Sequence, residues 1–248
     1  MEEIFDLSEY SWIEDQLEKH IVNPREEGFR VWHIIPKGFQ AYCKILPPIY
    51  EDLELSNDLR SWAEIQYKSE ERRLLENRNT FPDFNFPAKR VLWKELAQLQ
   101  GTQYTPQISN RDLWNFSWPI RYVGSASEGE LPPEIASRLS NLLSVNAKNN
   151  EYFFSYVDGD DWKNPYSRLY KAAFSGQLKR IKMSEMFPGT VAYWWGANHD
   201  WCLCMDYDLD FAFCGGSKEV VELLINDNVL ECIGIEINAR YNTYWSLP

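Results

Sequence analysis

The chain has 248 residues, of which 44% are hydrophobic and 25% charged, and its formal net charge is −12 at pH 7. That balance argues against wholesale disorder and allows a substantial core. So acidic a surface argues against nonspecific nucleic-acid binding, which needs clustered Lys and Arg, and against an anionic membrane surface.

No apolar run approaches the roughly 18 residues of a membrane span, and the opening MEEIFDLSEYSW is acidic and amphipathic rather than a charged-then-apolar leader. Five cysteines are an odd number in a chain too long to need staples, which points to reduced thiols in a cytoplasm. Eleven Trp, fourteen Tyr and thirteen Phe supply core, with some left over for a recognition surface.

Taken in order, residues 7–22 read as an amphipathic helix, capped by Ser8 or Ser11, with Trp12, Ile13, Leu17 and Ile21 on its apolar stripe. Asn23-Pro24 ends it. Residues 29–35 and 39–46 read as two strands of a hairpin around Pro36-Lys37-Gly38. Residues 51–78 are so charged that they read as a solvated helix with local ion pairs, an exposed insertion. The aromatics of residues 81–87 read as a loop tucked into the core. A helix over 91–99 follows, with Leu92, Leu96 and Leu99 inward and Gly101 ending it.

Residues 104–122 lack a clean period and read as loop with short helical turns, and residues 125–129 form a small-residue linker. Pro132-Pro133 opens a helix over 134–144 with Ile135, Leu139, Leu142 and Leu143 on one face. Strands are expected over 151–157, 169–174, 191–195, 201–205, 211–214 and 230–237. Ser217 caps a helix over 218–225, with Glu219 near its positive end. The tail RYNTYWSLP is polar and aromatic.

Candidate chemistry concentrates between residues 190 and 237. Asp206, Asp208 and Asp210 alternate, so they share a face on a strand or open a loop like a calcium site. The calcium loop fails on spacing: Phe211 stands where Gly is needed and Ser217 where a bidentate Glu belongs. A polar turn whose carboxylates cap backbone amides is the expectation. Asp158, Asp160 and Asp161 make a second acidic turn. Cys202 and Cys204 form C-x-C, which puts both sulfurs on one face of a strand whose other face carries Trp201, Leu203 and Met205. That pattern describes a strand buried on both sides rather than a zinc site.

His199 follows the Trp194-Trp195 pair and precedes Asp200, with no nucleophile signature to serve as its substrate. Gly215-Gly216-Ser217 before a helix has the form of an anion cradle but matches no phosphate-loop fingerprint, so a tight strand-to-helix turn is expected. The residues that define a candidate binding site are therefore Trp194, Trp195, His199, Asp206, Asp208, Asp210, Gly215, Gly216 and Ser217. No catalytic set, resident metal or cofactor is expected.

Two stretches carry a resemblance. Ile34-Ile35-Pro36-Lys37-Gly38-Phe39-Gln40-Ala41-Tyr42 resembles a VPxGFxAYxR segment of a family of uncharacterised bacterial proteins common in actinobacteria. Trp201-Cys202 through Asp206, Asp208-Leu209-Asp210 and Gly215-Gly216-Ser217 resemble that family's WCVATDxDLxxTYVGGS segment, and Asp227, Leu230 and Glu231 its DPRLEA-like strand. The likeness spans residues 31–237. Where the family has His-Pro after the first segment, this chain has Pro47-Pro48, so no role transfers to that position. The resemblance implies a bacterial cytosolic α+β protein and no particular activity. The six residues from Gly129 to Glu134 also resemble a segment of an immunity-protein family.

These readings converge on an α+β fold, a mostly antiparallel, twisted sheet with flanking helices, in a single domain over 1–248 with 125–130 as the place for any internal boundary. The functional expectation is a non-catalytic binding module, immunity-type or regulatory, that presents acidic and aromatic surface to a basic protein partner in the cytoplasm. The alternative is a metal-assisted hydrolase using the 206–210 carboxylates. Oligomeric state is left open.

Overall fold

The structure, a computed structural model, describes residues 2–4, 6, 8–17, 29–78, 84–114, 117–124, 129, 131–146, 151–157, 168–173, 190–206 and 209–241. Its strands are β1 (Glu2–Ile4), β2 (Ala41–Leu46), β3 (Ile49–Asp52), β4 (Ala88–Val91), β5 (Tyr122–Gly124), β6 (Glu151–Val157), β7 (Arg168–Ala173), β8 (Thr190–Gly196), β9 (Trp201–Cys204), β10 (Ala212–Gly216) and β11 (Glu231–Gly234). Its α-helices are α1 (Ser8–Gln16), α2 (Glu70–Arg78), α3 (Trp93–Gln100), α4 (Asn110–Trp114), α5 (Pro133–Asn146) and α6 (Lys218–Ile225). Eight strands form one sheet in the order β1-β7-β6-β8-β9-β10-β2-β11, and three more form a small sheet β4-β3-β5. Every pairing described is antiparallel. The α+β expectation holds.

The large sheet is buried on both faces, which is why its central strands read as continuous apolar runs. One face packs under α5 and α6, with Leu139, Leu143, Val220 and Leu224 meeting Trp194, Trp201 and Leu203. The opposite face is divided. At the β2, β10 and β11 end it meets α3, α4 and the small sheet through Trp93, Leu96, Leu113 and Ile49. At the β6, β8 and β9 end it meets α1 through Tyr10 and Ile13. Four buried carboxylate contacts fix these layers. Glu231 on β11 accepts from the backbone amides of Trp93 and Lys94 and from the Tyr104 hydroxyl, so it caps α3 from another element. Asp52, wholly buried, accepts from Arg78 and so ties α2 to β3.

Three expectations are corrected. Residues 29–35 are not the first strand of a hairpin: Val31–His33 winds as a 3₁₀ turn, with Val31 and Trp32 donating to the carbonyls of Ala239 and Ile237. The strand that was to pair with it, β2, is occupied on both sides by β10 and β11, so a local partner has no free edge to join. Residues 51–78 are not one helix. Asp52, Asp58 and Glu64 bond nearby backbone amides at Glu54, Arg60 and Ser61, and such local side-chain bonds compete with helix, leaving two 3₁₀ turns before α2. The expected ion pairs are present, Arg72–Glu76 at 2.8 Å and Arg60–Glu71 at 2.9 Å.

In α3 the buried residues are Trp93, Leu96 and Ala97, while Leu92 and Leu99 are exposed. Capping by Glu231 starts the helix at Trp93 and turns that face inward. Gly101 does end it, at φ +66. The expected helix over 134–144 and strand over 151–157 match α5 and β6. Ile21, most of the 125–129 linker, the 158–161 acidic turn and the tail beyond Tyr241 lie outside the described residues. Among the described residues no helix is long and apolar enough to cross a membrane.

Candidate functional site

Strand alternation separates the residues that the sequence groups together. Trp194 and Trp195 on β8 point to opposite faces, and each has no exposed surface. Trp194 meets Tyr152 and Trp201 edge-on, both with ring centroids 5.5 Å away. Trp195 stacks on Phe153 at 5.8 Å and lies against Tyr10 and Trp12 of α1. Both tryptophans are core, and neither indole N–H has a hydrogen-bond partner.

The cysteines follow the same rule. Cys202 and Cys204 share the α1 side of the sheet, while Cys214 faces the other way, directly opposite Cys43 on β2. The expected doubly buried strand is what β9 forms, and all four of its residues are buried. Burial pushes the Cys202 and Cys204 thiols well above their ordinary range, which keeps them protonated. Among the described residues no group of three His, Cys, Asp or Glu side chains is placed to hold a metal ion.

Gly215 and Gly216 end β10, and Ser217 caps α6 by accepting from the Val220 amide at 3.3 Å. The Lys218 amide donates to Gln40 Oε1. The helix start is thus engaged by the protein's own oxygens. The glycines serve packing: a Cβ at Gly215 would meet Phe39 Cδ2 at 2.5 Å.

Asp206 begins a turn in which its carbonyl accepts from Leu209 at 3.0 Å, and its side chain is half-buried. Asp208 lies outside the described residues. The Asp210 carboxylate turns inward. It takes hydrogen bonds from the backbone and side chain of Asn110 at the start of α4, and it feels the buried Lys44 amine. Burial pushes this carboxyl above its usual range, with Lys44 and Asn110 working against that shift.

Among the described candidates, His199 alone presents a side chain at an exposed position. It sits in the β8–β9 turn at φ +56, its amide donating to Gly196 at 2.8 Å. Its imidazole stacks on Trp12 of α1, with centroids 4.3 Å apart and rings 15° from parallel. Partial burial lowers its pKa, while Glu9 and Asp200 pull it back up. Beyond Trp12, α1 shows solvent only Ser8, Glu9, Ser11, Glu14, Asp15 and Gln16. Its last turn holds no basic residue. Glu14 and Asp15 therefore sit at the negative end of the helix, where carboxylates weaken it by a few tenths of a kcal/mol or more each.

Two features had gone unassigned to any site. Trp12 reads in the sequence only as part of a helical stripe, Glu9 is not singled out there, and no spacing relates either to His199. Lys44 carried a visible signal, a charge in the middle of the apolar strand AYCKIL. Comparison with models of protein families, with curated proteins and with solved structures finds no match for this chain.

Proposed function

We propose that the protein is a non-catalytic binding module whose α1 face, with the Trp12–His199 stack, takes a basic segment of a protein partner. The carrying observation is the outward face of α1: three carboxylates, Glu9, Glu14 and Asp15, exposed with no basic residue among its described positions. Two of those carboxylates stand where they oppose the helix dipole, so helix stability does not account for them. The net charge of −12 supports steering of a cationic partner. Membership in the bacterial family resembled by the sequence, and a cytoplasmic location, belong to the same proposal.

Metal-assisted hydrolysis through Asp206 and Asp210 is the weaker reading, because the Asp210 carboxylate turns inward and is held by the backbone and side chain of Asn110.

The test places a photo-crosslinking amino acid at Ser11 on the α1 face and, as a control, at the exposed Leu99. A basic partner crosslinks at Ser11 and not at Leu99. The product disappears in the Glu9→Lys, Glu14→Lys, Asp15→Lys variant and at about 1 M salt, where the Debye length is about 3 Å. A product that survives charge reversal, or none at Ser11, overturns the reading.

A further inference from the structure

Lys44 is the one wholly buried lysine among the described residues. It lies in the middle of β2, opposite Phe213 on β10 and Ile233 on β11. Its amine donates to the Ile108 carbonyl and stands 3.5 Å from the centroid of the Phe211 ring. Ile108 immediately precedes Ser109 and α4, whose first residue, Asn110, holds the Asp210 carboxylate. The charged groups that act on the amine are Asp210, from the turn before β10, and Asp112, from α4. The carboxylate on β11, Glu231, is committed to α3 and Tyr104. Asp112 is engaged with the Ser109 amide and hydroxyl at 2.9 and 2.7 Å. No ion pair joins Lys44 to Asp210, yet Asp210 Oδ2 and Asn110 Oδ1 are both buried without a hydrogen-bond partner.

A neutral amine is satisfied by the one carbonyl. An ammonium gains the Phe211 face as well, but its burial without a paired counter-charge still costs several kcal/mol. We propose that Lys44 and Asp210 form a proton-operated latch on α4. With the amine neutral, α4 is held against the sheet at two points, Ile108 on Lys44 and Asn110 on Asp210. With the amine charged, Asp210 closes onto Lys44 through its free oxygen and gives up Asn110. A helix of five residues has no stability of its own, so residues 108–114 then open locally. Burial lowers the Lys44 pKa to about 7, which places the change near neutrality.

Hydrogen exchange on the full chain tests this, with rates corrected for intrinsic pH dependence between pH 8.5 and 6. Protection over residues 108–114 falls about tenfold or more through pH 7 in the unsubstituted protein, while α5 is unchanged. Lys44→Met and Asp210→Asn each abolish the step. The proposal is overturned by a step that persists in both variants, or by no step in the unsubstituted protein. Should neither variant fold, NMR of the unsubstituted chain decides. The Lys44 Nζ and the Asn110 side-chain amide must titrate with one midpoint, and an Asn110 amide that ignores the Lys44 titration refutes the latch.

Discussion

Trp12 of the first helix and His199 of the β8–β9 turn lie face to face, 4.3 Å between ring centroids. The contact clamps α1 onto a hairpin far along the chain, and it holds a histidine at φ +56, a region that costs most side chains roughly 1–2 kcal/mol. His199→Ala removes a stack worth about 1 kcal/mol and keeps the backbone cost. His199→Gly removes both. Thermal unfolding is expected to place the Gly variant above the Ala variant. The reverse order would mean that the turn does not hold this conformation in solution.

Lys44 gives stability a definite dependence on pH. The unfolded lysine keeps its proton to about pH 10.5 and the folded one only to about 7. Between those values unfolding takes up a proton, so stability climbs with pH. Below 7 both states are protonated and the full penalty applies, on the order of 5 kcal/mol. Asp210 acts with the opposite sign above the usual carboxylate range, since its raised pKa lets the folded state keep a proton longer. Lys44→Met is expected to be more stable at pH 6 and to lose the climb between 7 and 10, as denaturant titrations at several pH values would reveal.

Gly215 separates a packing role from a ligand-cradling one. An added Cβ would come within 2.5 Å of Phe39 and 2.9 Å of Tyr42, whereas at Gly124 it meets nothing within 4 Å. Gly215→Ala is expected to cost about 1–3 kcal/mol, and Gly124→Ala to change the unfolding midpoint little. Equal effects at the two positions would contradict the close approach.

The thiols are expected to be inert in the native state. Cys43, Cys202, Cys204 and Cys214 are buried and Cys232 is half-buried. Contact with Cys43 and burial also push the Cys232 thiol up. A colorimetric thiol reagent at pH 8 should titrate at most one cysteine in the folded protein and all five after denaturation. Rapid reaction of two or more would show that the sheet opens.

What the sequence revealed was local. The 151–157 strand, the Ser217 cap and the two-sided burial of β9 each rest on neighbours within a few positions, and each is found. What it concealed was long-range. The apolar residues 29–35 look like a strand because they pack beside the C-terminal segment, and no pattern within them reports that partner. Leu92 and Leu99 satisfy a helical period, but Glu231 sets where α3 begins and so which face turns inward. His199 was singled out from its neighbours in sequence, while the ring that positions it comes from the other end of the chain.

The order of the large sheet bears on how the chain is made. β2 lies between β10 and β11, strands that follow it by about 170 residues or more. At ribosomal speeds of about 5–20 residues per second, β2 waits roughly 10 to 30 seconds for its first partner. During that interval both its edges are unpaired and its apolar side chains uncovered. Such non-local pairing makes for slow folding and a nascent chain prone to clump. The yield of folded protein should therefore depend on chaperone supply and growth temperature more steeply than its final stability would suggest.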